Sequence, residues 1–273
     1  MFSINPKATE LRAQVHMLKL MTFNIRYGTA DDKENHWDHR KSLVIDRIKA
    51  FAPDLIGMQE CRDDSQAEFV KNNLQGYSFQ GVRREGGGDT ALEMAPILFK
   101  ESVFQLIQKG YFWLSDTPQV AGSKSWDSTF PRTAVWGELL HRTSGKSFIF
   151  LNTHFDYEPS AIDESAKLLK KWVGQNAAKR PLIVTGDFNA DKNSSAYQLL
   201  ADGKSLFDVY KQAHPSGKNE GTFHGYGHKE TAIDWILATD HFEVNNAEID
   251  RYHTGNLYPS DHYPVTATLN WQR

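Results

Sequence analysis

Short apolar runs in this chain end, one after another, on a carboxylate, an amide or an imidazole. Leu20-Met21-Thr22-Phe23 stops at Asn24, and Leu55-Ile56-Gly57-Met58-Gln59 stops at Glu60. Phe148 to Thr153 leads to His154, and Leu182 to Gly186 leads to Asp187-Phe188-Asn189. Ser260-Asp261-His262 stands immediately before the last apolar run. Runs of this length, rich in β-branched and aromatic residues, are strand patterns. A single Asp or Asn at such an end is ordinary, because both favour turns. Their repetition with so narrow a set of side chains constrains more. A sheet that carries polar tips at its strand ends holds them rigidly, which is how a site gains precision.

The full pattern alternates strands with helices and predicts an α/β fold. Strands are expected at Leu18–Phe23, Leu55–Gln59, Ala95–Phe99, Ala134–His141, Phe148–Thr153, Leu182–Thr185, Ile233–Leu237 and Pro264–Leu269. Helices are expected at Asp38–Phe51, Ser65–Leu74 and Ala161–Gln175. Val44, Ile48 and Phe51 share one helical face, and Pro53 stops that helix. Leu168, Leu169, Trp172 and Val173 form the stripe of the third, with Lys170 and Lys171 facing water. No repeat or linker divides the chain, so residues 18–273 read as one domain and 1–17 as an extension. That extension lacks an apolar core, so it is not an intact signal peptide. A disordered tail, an expression remnant and the rest of a processed leader all fit it. Gly86-Gly87-Gly88 lacks both the spacing and the following helix of a dinucleotide cradle and reads as a loop.

Composition removes several function classes. The formal charge is -3 and the sequence pI about 6.4, whereas a protein gripping long nucleic acid shows a basic excess. The basic pairs Arg83-Arg84, Lys170-Lys171 and Lys179-Arg180 read as solvated faces, and tight duplex DNA binding is not expected. Cys61 is the only cysteine, which excludes an intrachain disulfide and a thiolate metal cluster. It reads as a buried, inert thiol. No apolar run approaches the ~20 residues that span a bilayer. Compartment stays open: the cytoplasm is the first reading, and export the second if a leader has been removed. Oligomeric state is not addressed by the sequence.

Taken in order, TFNIRYG (Thr22–Gly28), IGMQE (Ile56–Glu60), NTHFD (Asn152–Asp156), TGDFNA (Thr185–Ala190), IDWIL (Ile233–Leu237) and SDHYPV (Ser260–Val265) resemble the motif set of the endonuclease/exonuclease/phosphatase superfamily. The resemblance runs from about Leu18 to Leu269. Phe112–Pro118 and the early N-x-W-x-x-R of Asn35–Arg40 resemble a mainly bacterial branch whose motifs do not fix a substrate. It implies a four-layer α/β sandwich, two mixed β-sheets packed face to face with helices outside. It also implies a metal-dependent phosphoric ester hydrolase of phosphodiesterase, nuclease or phosphatase type. Glu60 becomes the principal metal ligand, supported by Asn24 and Asp261. Arg132 resembles a phosphate-contacting position, and His154 with Glu93 a second histidine–carboxylate pair near the phosphate.

The residue chemistry agrees with those assignments. Oxygen donors without a cysteine cluster suit a hard cation, Mg²⁺ with Mn²⁺ as the alternative. Asp187 and Asn189 stand two apart, so in an extended segment they point the same way. Asp187 can then activate water while Asn189 donates to the phosphoryl group. His262 can stabilise the transition state if a carboxylate fixes its protonated form. Asp234 is the candidate, because a lone carboxylate in an apolar strand would be costly. Trp113 and Trp126 are candidates for the cleft rim, where they could stack on a base or sugar; Trp113 fits the core equally well. His224 is a candidate for approaching the cleft; otherwise His36, His39, His224 and His228 read as solvated loop residues. Apurinic endonucleases carry an acid two positions after the first-motif Asn, where this chain has Arg26, so their metal shell and abasic-site preference do not transfer directly. The expected partner is a phosphoester: a small molecule, a nucleotide or an exposed nucleic-acid end. The competing reading is a catalytically inactive member that binds a phosphorylated ligand or a protein.

Overall fold

Strand β1 (Met17–Asn24) opens the fold and lies inside a sheet, with neighbours on both sides. A computed structural model describes residues 17–272, except 178, 179, 218, 219 and 229. The extension expected over 1–17 lies outside the described residues apart from Met17, which begins β1. In the first six-stranded sheet, β1 is flanked by β14 (Val265–Trp271) and β2 (Leu55–Gln59), with β13 (Phe242–Ile249) beyond β14 and β6 (Ile97–Lys100) and β4 (Tyr77–Gln80) beyond β2. The second six-stranded sheet runs β11 (Phe207–Asp208), β12 (Asp234–Ala238), β10 (Leu182–Asp187), β9 (Ser147–His154), β8 (Thr133–His141) and β7 (Phe104–Trp113). A short pair, β3 (Cys61–Arg62) and β5 (Glu93–Met94), stands apart. β1 and β2 are parallel, as are β9 and β10. The other neighbouring pairs are antiparallel, so both sheets are mixed as expected.

Three apolar layers separate the four. Between the sheets, Leu18, Leu20, Leu55, Val265 and Leu269 of the first meet Phe148, Phe150, Ile183 and Ile236 of the second. On the first sheet's outer face, Met21, Phe23, Ile56 and Met58 pack against α1 (Trp37–Phe51) and α2 (Ser65–Asn73) through Val44, Ile45, Ile48 and Val70. On the second sheet's outer face, Ile149, Leu151, Leu182 and Val184 meet α3 (Pro159–Ala177) and α4 (Ser195–Leu200) through Ala166, Leu169, Val173 and Leu200. A fifth helix, α5 (Val209–Ala213), sends Val209 and Tyr210 into the inner layer. Central strands covered on both faces are continuously apolar, which is why β2, β10 and β12 are buried at every position.

Expected strands and helices all occur, with shifted ends. The run expected from Ala95 becomes a strand only at Ile97, because Pro96 has no N–H to donate. Its carbonyl instead accepts from Met58 N. The stripe expected on α3 is rotated: Leu169 and Val173 are fully buried, whereas Leu168 and Trp172 are only partly so. Strands β4, β7, β11 and β13 were absent from the expectation, and all four are sheet edges.

Beneath the strand ends the sheets are also joined by polar groups. Gln59 Nε2 donates to Asn152 Oδ1 at 2.7 Å, and Thr185 Oγ1 donates to the same oxygen at 3.0 Å. Asn152 Nδ2 returns a bond across to Met58 O at 2.7 Å. Gly57 makes this approach possible, since a Cβ there would lie 2.0 Å from Thr185 Oγ1.

Candidate active site

Both parallel pairs end at the same place. In register, Asn24 faces Gln59 across β1 and β2, and Asp187 faces His154 across β10 and β9 with Asp234 on its other side. Each sheet therefore delivers its polar tips to one cleft of about 360 Å³. Chain direction changes sharply there. Arg26, Glu60 and Asn189 adopt left-handed backbone conformations, at φ 54°, 57° and 48°. A non-glycine residue pays for that conformation, and such residues gather at functional sites. The turn at Asn189 corrects the extended geometry expected for Asp187 and Asn189. They are brought together because Asp187 Oδ1 accepts Asn189 N at 3.0 Å, a local side-chain-to-backbone turn.

Asp187 is the hub. Its Oδ2 accepts from Asn24 Nδ2 at 2.9 Å and lies 3.5 Å from His154 Nε2 and 3.7 Å from His262 Nε2. Asn24 Nδ2 also donates to Glu60 Oε1 at 3.0 Å, and Glu60 Oε2 accepts Tyr27 N at 3.0 Å. His262 Nδ1 lies 2.8 Å from Asp234 Oδ2, so the carboxylate of the apolar strand meets the imidazole. Asn189 Nδ2 donates to Phe155 O at 2.9 Å and sits 3.3 Å from His154 Nε2. Ser260 Oγ donates to Asn24 O at 2.7 Å, tying the Asp261–His262 loop to the end of β1.

The N-x-W-x-x-R motif proves to be a clasp on that same junction. Arg40 is fully buried and donates to the carbonyls of Asn35, Ile25, Arg26 and Pro259 at 2.6 to 3.0 Å. Asn35 Oδ1 accepts Tyr258 N at 3.0 Å. The loop after β1 and the loop before β14 are thus held by one guanidinium.

Burial and charge set the protonation of these groups. Burial, then the Asp234 carboxylate, pushes Asp187 up to about 7. Burial alone would discharge His262, but Asp234 and Asp187 outweigh it and push the imidazole up to about 10. His262 is therefore an imidazolium at neutral pH. Burial, followed by the charges of Arg132 and Arg84, holds His154 well below its ordinary value, so it is neutral. The deep setting of Glu60 opposes its charge, yet Arg26 and the Asn24 hydrogen bond hold it below the usual carboxylate range.

Several expectations are corrected. Glu93 does not pair with His154: its Oε1 takes Arg84 Nη2 at 2.8 Å, and His154 turns to Asn189 and Asp187. Arg84, read as half of a solvated pair, is buried at 4% exposure in the cleft wall, while Arg83 is exposed and paired with Asp63. The dipeptide gave no sign of this, because burial of Arg84 depends on Glu93 in β5 and on Phe130, far along the chain. Arg132 lines the cleft, with Nε 3.4 Å from Asp156 Oδ2. Trp113 is core, donating to Arg84 O at 2.7 Å. Trp126 bonds Asp116 Oδ1 at 3.0 Å and does not line the cleft. His224 is neither at the cleft nor solvated. It is buried behind Asp261, its backbone N bonded to Asp261 O and its ring stacked 4.0 Å from Tyr263. Lys170 is paired with Asp202, Arg180 with Glu138, and Lys179 lies outside the described residues. Cys61 is buried, and burial raises its thiol above the ordinary range.

The donor chemistry fits a hard cation. Glu60, Asp187 and Asp261 all line the cleft and offer oxygen donors, and burial of Asp187 and Asp261 raises the proton affinity of both. A bound cation inverts that cost. Asp187, Asp234 and His262 also bring one donor atom each within 4.8 Å of one another. A cation there would compete for the proton between His262 and Asp234, and Asp234 Oδ1 is buried without a hydrogen-bond partner among the described residues.

Comparison with known proteins agrees with the geometry. A family model described as Endonuclease/Exonuclease/phosphatase family matches residues 21–262. The chain is similar to an endonuclease/exonuclease/phosphatase of Bacteroides vulgatus, with 32% identity, a TM-score of 0.85, and 94% of this chain and 99% of that one covered. It is similar to a mannosyl-6-phosphatase of Bacteroides thetaiotaomicron, with 30% identity, a TM-score of 0.84, and coverage of 93% and 100%. It is also 27% identical to the CCR4-Not complex 3'-5'-exoribonuclease subunit of Candida albicans, over 87% of this chain but 38% of that protein.

Proposed function

This chain belongs to the endonuclease/exonuclease/phosphatase family, and on that premise we propose that it is a divalent-metal-dependent hydrolase of phosphoester bonds. One observation carries the reading. Asn24, Glu60, His154, Asp187, Asn189, Asp234, Asp261 and His262, drawn from both sheets, meet at or directly beneath a single cleft. Glu60 and Asp261 would hold Mg²⁺ or Mn²⁺, with Asn24 supporting the shell through its Nδ2 bond to Glu60, and the ion would neutralise the phosphate charge that otherwise repels a nucleophile.

The chain's own groups account for the rest. Asp187, pushed up to about 7, is a base whose proton affinity matches neutral pH. It orients water and takes its proton as the oxygen attacks phosphorus. Asn189 would turn the Nδ2 hydrogen that faces His154 Nε2 toward one phosphoryl oxygen. His262, kept as imidazolium by Asp234, donates to the charge that builds on the pentacovalent phosphorus. One P–O bond forms to the water oxygen and one breaks to the leaving oxygen, which takes up a proton and departs as an alcohol. His154, neutral, braces Asn189 at 3.3 Å. The cleft volume and the acidic overall charge suit a small or exposed phosphoester better than a long duplex. An inactive, ligand-binding member would require a lost acid, base or donor, and each central position keeps its group.

The test is a panel of nucleic acids, nucleotides, inositol phosphates, sugar phosphates and sphingomyelin, assayed with Mg²⁺ and with Mn²⁺. Turnover that EDTA abolishes and His262→Ala lowers by roughly a hundredfold or more is expected. Purified, folded protein inert on the whole panel with either metal would transfer the case to ligand binding.

A further inference from the structure

We propose that Arg84 and Arg132 form a two-guanidinium subsite for a terminal, dianionic phosphate, which makes phosphomonoesters the preferred substrates of this cleft. The proposal rests on the hydrolase reading above and on the phosphate contact that the resemblance implies for Arg132, and it adds Arg84 and the class of ester. Both arginines are more than nine-tenths buried, and both line the cleft. They flank one ring: the guanidinium carbons lie 4.5 Å and 5.6 Å from the centroid of Phe130. Arg84 spends Nε on Thr90 O and Nη2 on Glu93, and Arg132 spends only Nε, on Asp156. Among the described residues, Nη1 of Arg84 and both Nη atoms of Arg132 make no hydrogen bond. None of these nitrogens is sealed from solvent, since both side chains line the cleft, and an anion there would find them free to donate.

Position ties this pair to the reacting phosphate. A void of about 10 Å³ is lined by Arg84, Glu93, Arg132 and His154, and His154 touches Asn189 at 3.3 Å. A phosphoryl group undergoing transfer has three oxygens besides the leaving one. In a monoester all three are terminal, whereas in a diester one carries a second organic chain. With Asn189 and His262 serving the others, the two arginines are left to face the third. That oxygen must be charged and unsubstituted to match guanidinium forks. A monoester also carries close to two negative charges at neutral pH, which needs extra cations beside Glu60, Asp187 and Asp261.

The experiment compares 4-nitrophenyl phosphate with bis(4-nitrophenyl) phosphate, using wild type, Arg84→Gln, Arg84→Lys and Arg132→Lys. Circular dichroism and thermal melts confirm folding. Wild type should favour the monoester in kcat/KM. Arg84→Gln should lose roughly a hundredfold on the monoester and less than roughly tenfold on the diester, on the scale of charge-assisted hydrogen bonds. Arg84→Lys should recover part of that loss. A second arm needs no turnover: inorganic phosphate binding in EDTA, read by calorimetry, should weaken roughly tenfold or more in Arg84→Gln and in Arg132→Lys. A wild type that favours the diester, equal losses on both esters, or phosphate binding that the variants leave unchanged would each overturn the subsite. Turnover of neither ester with phosphate binding intact would overturn the hydrolase reading and leave the anion site standing.

Discussion

Asp234 shows how a single residue can be legible in a sequence. A carboxylate inside an apolar strand demands a partner, and His262 answers at 2.8 Å. If they act as one unit, Asp234→Ala and His262→Ala should each lower kcat on a phosphoester by roughly a hundredfold. The double variant should be little worse than either; multiplicative losses would separate the two roles. The same pair governs stability against pH. His262 is held up at about 10 against an ordinary 6.5, so its stabilising contribution is complete below about 6.5 and is lost as pH rises through 10. In EDTA, the melting-temperature gap between wild type and His262→Gln should be widest near pH 6 and shrink toward pH 10, and a constant gap would contradict the assignment. Other residues left no trace in the sequence. Glu93 was paired with the wrong partner because Arg84, its real one, looks in isolation like any exposed arginine.

At the scale of elements, legibility followed burial. Strands β2, β10 and β12, covered on both faces, read correctly as unbroken apolar runs. Edge strands β7 and β13 expose about every other residue or more to water and lose the apolar signal that marks a strand. The clasp of Arg40 was visible as a motif but not as a function, because its acceptors are main-chain carbonyls that any sequence supplies. Removing it should loosen the loop that follows Asn24 and the loop that carries Asp261. Arg40→Met, measured by urea unfolding, should cost about 3 kcal/mol or more, since several bonds to a charged donor vanish together. Arg40→Lys should retain part of that. The contact between the sheets is equally strict: Gly57→Ala would press a methyl against Thr185 and Asn152 and should cost roughly 1–3 kcal/mol in the same assay.

For the whole molecule, the four-layer arrangement was foreseen from the motif order, and the structure supplies the reason those motifs are so far apart. Neither sheet owns the site. The first contributes Asn24, Glu60, Asp261 and His262, and the second contributes His154, Asp187, Asn189 and Asp234. A cation bound at their junction should therefore brace both sheets at once. Mn²⁺ at a hundred times its Kd should add about 2.7 kcal/mol of stability, seen as a rise in melting temperature that Glu60→Gln removes. Since β1 pairs with β14, the first described strand must wait for the last before either is fully bonded. During translation, a ribosome-bound chain lacking the segment around 261–271 would carry Glu60, Asp187 and Asp234 without Asp261 or the imidazolium of His262. Catalytic competence would then arrive abruptly once that segment has been made, and fragments cut anywhere between the sheets should be inert until recombined.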